Sequence, residues 1–141
     1  MGRILALDYG TKRTGIAVSD PLRIIAGGLD TVPTHTLMDF LKRYVAENGV
    51  DVIVLGRPTQ MDGSPSESMR HIEPFAKKLA KEFPQVRIEW FDERFTSVLA
   101  QRAIIESGVP KMKRRDKSLT DKVSATIILQ GYMDSLGFRN G

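Results

Sequence analysis

Acidic side chains stand at the ends of three apolar segments. Asp8 closes Ile4-Leu5-Ala6-Leu7, Asp92 and Glu93 follow Val86 to Phe91, and Asp121 precedes a stripe formed by Ala125, Ile128 and Tyr132. Carboxylates supply the oxygen ligands that a hard divalent cation such as Mg²⁺ or Mn²⁺ requires. Two such ions about 4 Å apart activate a water on one side of a phosphodiester and stabilise the departing alkoxide on the other. No rival constellation competes. The chain has no cysteine, which excludes disulfides, thiolate zinc sites and a thiol nucleophile. His35 and His71 are isolated from one another and read as surface residues.

Each acid also has an ordinary structural explanation. Asp8 precedes Tyr9-Gly10 and is suited to capping that turn through its side chain. Asp92 and Glu93 are adjacent, so only one can share a direction from a strand; Glu93, just past the strand end, is the preferred ligand and Asp92 the second choice. Arg94 is the nearby cation that offsets their repulsion. Either acid also suits the cap of a following helix. Ser118-Leu119-Thr120-Asp121 reads equally as a capping box. It is the gathering of three acids on one sheet edge that favours a metal site over three caps.

Cationic and glycine-bearing loops accompany the acids. Gly10-Thr11-Lys12-Arg13-Thr14-Gly15 offers backbone amides, a hydroxyl and two cations beside Asp8. Gly56-Arg57-Pro58 puts an Arg directly after an apolar strand, where its planar fork can grip a phosphate. Lys111-Met112-Lys113-Arg114-Arg115-Asp116-Lys117 concentrates charge in a chain whose 21 basic and 17 acidic residues leave only +4 overall. Lys113, Arg114 and Arg115 are candidates for phosphate contact; a solvated loop is the plainer alternative. A hairpin turn and a surface salt bridge are the plain readings of the other two.

The elements that must position these groups follow from hydrophobic periodicity. Arg3 to Asp8 reads as a buried strand, Thr14 to Ser19 as a second and Ile24 to Val32 as a weaker third, joined by short turns as in an antiparallel meander. Thr34 to Asn48 is amphipathic, with Leu37, Phe40, Leu41, Tyr44 and Val45 on one face, and ends at Gly49. Val50 to Leu55 is a strongly apolar, central strand. Ser66 to Phe83 reads as a helix that Pro74 should kink or break. Val86 to Phe91 is the fifth strand, and helices follow at Thr96 to Ser107 and from about Thr120 to Leu136. The order βββαβαβαα implies an α/β domain spanning residues 1–141, with a mixed five-stranded sheet flanked by helices. That is the ribonuclease H-like arrangement, in which sites form beyond the carboxyl ends of strands. No stretch approaches the roughly 20 apolar residues of a membrane helix. The run Ile4 to Leu7 is too short for a signal peptide, so a cytoplasmic protein without a membrane partner is expected.

Asp8-Tyr9-Gly10-Thr11-Lys12-Arg13-Thr14-Gly15-Ile16-Ala17 resembles the opening motif of the YqgF family, also called RuvX, described as pre-16S ribosomal RNA nucleases and earlier as Holliday-junction resolvases. Gly56-Arg57-Pro58 with Gly63, then Asp92-Glu93-Arg94-Phe95-Thr96, then Asp121 with Ala125 and Ile128-Leu129, resemble its further motifs in the same order. The resemblance implies a ribonuclease H-like fold, a role in ribosome maturation, and Asp8, Glu93 and Asp121 as the acidic triad binding Mg²⁺ or Mn²⁺. The substrate would be precursor ribosomal RNA or branched DNA, bound by a monomer or a homodimer; a junction resolvase would favour the two-fold dimer. The Asp-x-Gly-Thr opening also resembles the phosphate loop of actin and sugar-kinase ATP-binding proteins, but those bind nucleotide between two related domains and this chain is too short for both. A non-catalytic RNA-binding module is the other rival, and it leaves the clustered acids unexplained.

Overall fold

The computed structural model describes residues 2–20, 26–57, 69–92 and 117–140, and within the last of these the side chains of 123–134. Five strands form one sheet: β1 (Arg3–Asp8), β2 (Arg13–Ser19), β3 (Ala26–Pro33), β4 (Val50–Arg57) and β5 (Arg87–Asp92). Their order across the sheet is β3-β2-β1-β4-β5. β2 runs antiparallel to both β1 and β3, whereas β4 is parallel to β1 and β5 is parallel to β4. The expected mixed sheet, with a meander on one side and parallel additions on the other, is therefore what the chain forms.

β1 is central, and its two faces serve two cores. Leu5 and Leu7 join Ile53 and Leu55 of β4 beneath α1 (Leu37–Asn48) and α2 (Met69–Glu82), with Leu37, Leu41, Phe75 and Leu79 from the helices. Ile4 and Ala6 join Val52 and Val54 beneath α3 (Lys117–Asn140), which contributes Ala125, Ile128, Leu129 and Tyr132. Where a strand is sandwiched this way both faces must be apolar, which is why Ile4 to Leu7 of β1 and Val52 to Leu55 of β4 read as unbroken apolar runs. Each fully buried Leu or Ile contributes roughly 1.5–3 kcal/mol relative to an exposed one.

Boundaries differ from expectation in instructive ways. The segment opening at Thr34 begins as a 3₁₀ turn, Thr34–Thr36, and becomes α-helical at Leu37. α1 ends at Gly49 in the left-handed conformation (φ 51°), as a C-terminal glycine predicts. Pro74 neither breaks nor ends α2, which runs through it from Met69 to Glu82. The buried stripe Met69, Ile72, Phe75 and Leu79 spans the proline and holds the helix to the sheet, so packing outweighs the lost backbone donor. α3 starts at Lys117, earlier than its apolar stripe suggests. The helix expected at Thr96 to Ser107 lies outside the described residues. Among the described residues no helix is long and apolar enough to cross a membrane.

Candidate active site

The parallel strands β1, β4 and β5 end on one edge of the sheet, with Asp8, Arg57 and Asp92 as their last residues. Asp8 is partly buried and in phase with Ile4 and Ala6, which places it on the α3 face. Its cross-strand partner on β2 is Gly15. On the other side Leu7 pairs with Leu55, so the next residue of β4, Gly56, is level with Asp8. The acid is thus flanked by glycines on both neighbouring strands, each about 4.8 Å away. No side chain from either position takes up the space beside the carboxylate.

The same alternation separates Asp92 from Asp8. Phe91 packs into the α3 core and Ile88 into the opposite one. Asp92, in phase with Ile88, falls on the α1/α2 face, opposite Arg57 in register. Asp92 therefore emerges from the other side of the sheet and is exposed. Glu93 lies outside the described residues, as do Arg94, Lys113, Arg114 and Arg115.

Asp121 lies in the second turn of α3, one turn before the fully buried Ala125; its side chain is outside the described set. Because α3 already includes Lys117, Ser118 is inside the helix and not at its cap. The capping-box explanation of Asp121 therefore loses its premise. Among the described residues no three His, Asp or Glu groups converge. The donors at issue, Asp8, Glu93 and Asp121, are all carboxylates, the class suited to a hard divalent ion. His35 and His71 are exposed, as expected.

The loop between β1 and β2 is fixed by a clasp that sequence reading missed. The Thr34 hydroxyl donates to the Gly10 carbonyl, and its backbone N–H donates to the Lys12 carbonyl at 3.0 Å. The fully buried Thr14 lies 3.0 Å from the Thr34 hydroxyl, which, its proton being committed to Gly10, accepts. Gly10 must be glycine, because a β-carbon there would run into the Arg13 carbonyl. On the opposite face Tyr9 packs on Phe75 of α2, ring centroids 4.7 Å apart, and burial raises its phenol pKa above the usual 10.0. Thr11 and Lys12 are exposed on this fixed loop and Arg13 is partly buried. Thr34 carried no local signal of this role, because its partners lie 20 and 24 positions away.

The chain resembles known proteins along nearly all of its length. The sequence model of the RuvX family, described as Holliday junction resolvase, matches residues 2–135. A relative from Porphyromonas gingivalis is 63% identical over 135 residues, covering 96% of this chain and 98% of its own. One from Bacteroides thetaiotaomicron is 55% identical over 138 residues, covering 98% and 100%. Both bear the name "Putative pre-16S rRNA nuclease". Among solved structures, YeaZ from Pseudomonas aeruginosa overlays with a TM-score of 0.44 at 26% identity, over 77% of this chain and 50% of that one.

Proposed function

The chain belongs to the RuvX family, and from that premise we propose that it is a metal-dependent nuclease that hydrolyses phosphodiester bonds, processing the 5′ end of precursor 16S ribosomal RNA in the cytoplasm. The observation that carries this reading is the placement of Asp8. It stands at the carboxyl end of the central strand, on the α3 face, flanked by Gly15 and Gly56.

Asp8, Glu93 and Asp121 are the residues that would hold Mg²⁺ or Mn²⁺. Strand alternation counts against Asp92: Phe91 faces α3 as Asp8 does, so Asp92 takes the opposite face, and Glu93 is kept as the ligand on the family resemblance. When bound, the metal supplies an activated water and charge neutralisation at the scissile phosphate. The protein's own contribution is positional. The glycines admit a phosphate close to the carboxylate, and the Thr34 clasp holds Thr11, Lys12 and Arg13 beside it. Arg57 and the basic run Lys113, Arg114 and Arg115 offer charge to neighbouring phosphates, with Arg94 balancing the acids.

The test is a cleavage assay with Mg²⁺ or Mn²⁺, comparing precursor 16S RNA with a four-way DNA junction. Cleavage of the RNA, abolished by chelator, is expected. Preferential cutting of the junction would replace RNA with branched DNA as the substrate. Full activity in EDTA would overturn the metal requirement.

A further inference from the structure

On the face of the sheet opposite Asp8 lies a groove of about 450 Å³ between α2 and the edge strand β5. Two small residues, Ala76 and Ala80, line its helix wall. α2 turns Met69, Ile72, Phe75 and Leu79 into the core; the adjacent stripe, Glu73, Ala76, Lys77 and Ala80, overhangs β5. Ala76 and Ala80 present only methyl groups toward the floor, where Ile88 is partly buried and Trp90 is exposed. Trp90 is 38% exposed, one of two exposed large apolar side chains among the described residues. Arg57 closes the end of the groove that meets the carboxyl edge, and Lys77 lines its helix side.

The lining joins an aromatic floor to two cations, Arg57 and Lys77, and one anion, Glu73. An aromatic ring with cations beside it is a composition that binds unstacked bases of single strands, the ring stacking on the base and the cations holding the flanking phosphates. The volume falls in the range of small-ligand sites, about 300–1,000 Å³. A duplex offers no free base face. We propose that this groove binds one unstacked base of a single-stranded RNA, stacked on Trp90, with Arg57 and Lys77 meeting the adjoining phosphates. The proposal rests on the nuclease reading for its choice of RNA. It adds a site on the α1/α2 side of the sheet, joined through Arg57 to the edge where the acids lie. A strand from a second copy, pairing with the open edge of β5, is the competing occupant.

Trp90 is the only tryptophan in the chain, so its fluorescence reports on this groove alone. The full-length protein in Mg²⁺-free buffer is titrated with a single-stranded oligoribonucleotide and with the same sequence as a duplex. Saturable quenching by the single strand and little by the duplex is expected. With a labelled oligonucleotide, Trp90→Leu should weaken binding about tenfold, Trp90→Phe should recover most of the loss, and Ala80→Glu, on an exposed helix position, should weaken binding comparably without unfolding the protein. Unchanged tryptophan emission, equal quenching by duplex, or wild-type affinity in both Trp90→Leu and Ala80→Glu overturns the proposal. So does an emission change that follows protein concentration without RNA, which would identify a second copy as the occupant. A protein that quenches with single-stranded RNA but cleaves nothing would keep the groove and sink the nuclease. One that cleaves while Trp90 stays silent would do the reverse.

Discussion

Asp8 on β1 pairs across the ladder with Gly15 on β2, so the position beside the acid on that strand carries no side chain. If that gap admits the phosphate, filling it should harm chemistry more than folding. Gly15→Ala gains backbone rigidity in a strand, worth about 0.5–1 kcal/mol against any local crowding. Stability should therefore change by roughly 1 kcal/mol or less, while cleavage falls by up to about 100-fold, the scale of a small misplacement at a reacting centre. Denaturant melts and single-turnover cleavage check both halves. A stable, fully active variant would show that the space beside Asp8 is not used.

Asp8→Asn removes a charge and keeps the shape. If the carboxylates are gathered for a cation, the metal-free variant should be at least as stable as wild type, because one source of mutual repulsion is gone. Metal at 100 times its dissociation constant should stabilise the wild type by about 2.7 kcal/mol and the variant far less. Cleavage should fall by more than the roughly 100-fold that loss of an outer-shell partner costs. Thermal melts with and without Mg²⁺, beside a cleavage assay, decide the matter; an active Asn variant with an unchanged metal response would mean that Asp8 only caps its turn.

The Thr34 clasp should be separable from bulk stability. Thr34→Val keeps the volume and the backbone N–H but loses the hydroxyl's bonds with Gly10 and Thr14. A loss of about 1–3 kcal/mol is expected, since Thr14 is buried. Thr34→Ser should restore both stability and cleavage. At a temperature where both proteins are folded, Thr34→Val should show a lower kcat. Wild-type kcat in the folded Val variant would leave the clasp a structural role only.

Tyr9 makes the protein sensitive to alkali. Burial raises its pKa above 10.0, so the unfolded chain releases this proton at lower pH than the folded one. Stability from this source is complete below about pH 10 and is lost as pH rises through the folded value. Tyr9→Phe should flatten the fall in melting temperature above that pH. Identical alkaline profiles for the two proteins would contradict it.

How far the sequence carried depended on how local each signal was. Ile4 to Leu7 and Val50 to Leu55 announced buried strands because both faces are covered, and Gly49 announced the end of α1 because its left-handed conformation favours glycine. Asp8 was legible from its register with Ile4 and Ala6. That Asp92 falls on the face opposite Asp8 was not, because it depends on which face Phe91 takes, and only the α3 core reveals that; Glu93 lies outside the described residues. Pro74 was misleading for a similar reason: the helix is held by Phe75 and Leu79 against the sheet, not by its own propensity. The Thr34 clasp and the Trp90 groove bring together residues distant in sequence, so no local pattern pointed to them.

The two-sided burial of β1 also bears on how this chain can vary over generations. Because side chains alternate strictly, one residue inserted or deleted between Arg3 and Asp8 would exchange every apolar contact between the two cores and swing Asp8 round to the side now held by Tyr9. Such a change cannot be half-tolerated, since it removes the fold's centre and the acid's aim together. Length variation should therefore be purged from β1. β3 lies at the sheet's border, largely exposed, and already pairs with β2 through a register shift near Ile16 and Ala17; insertions there should be inherited at little cost.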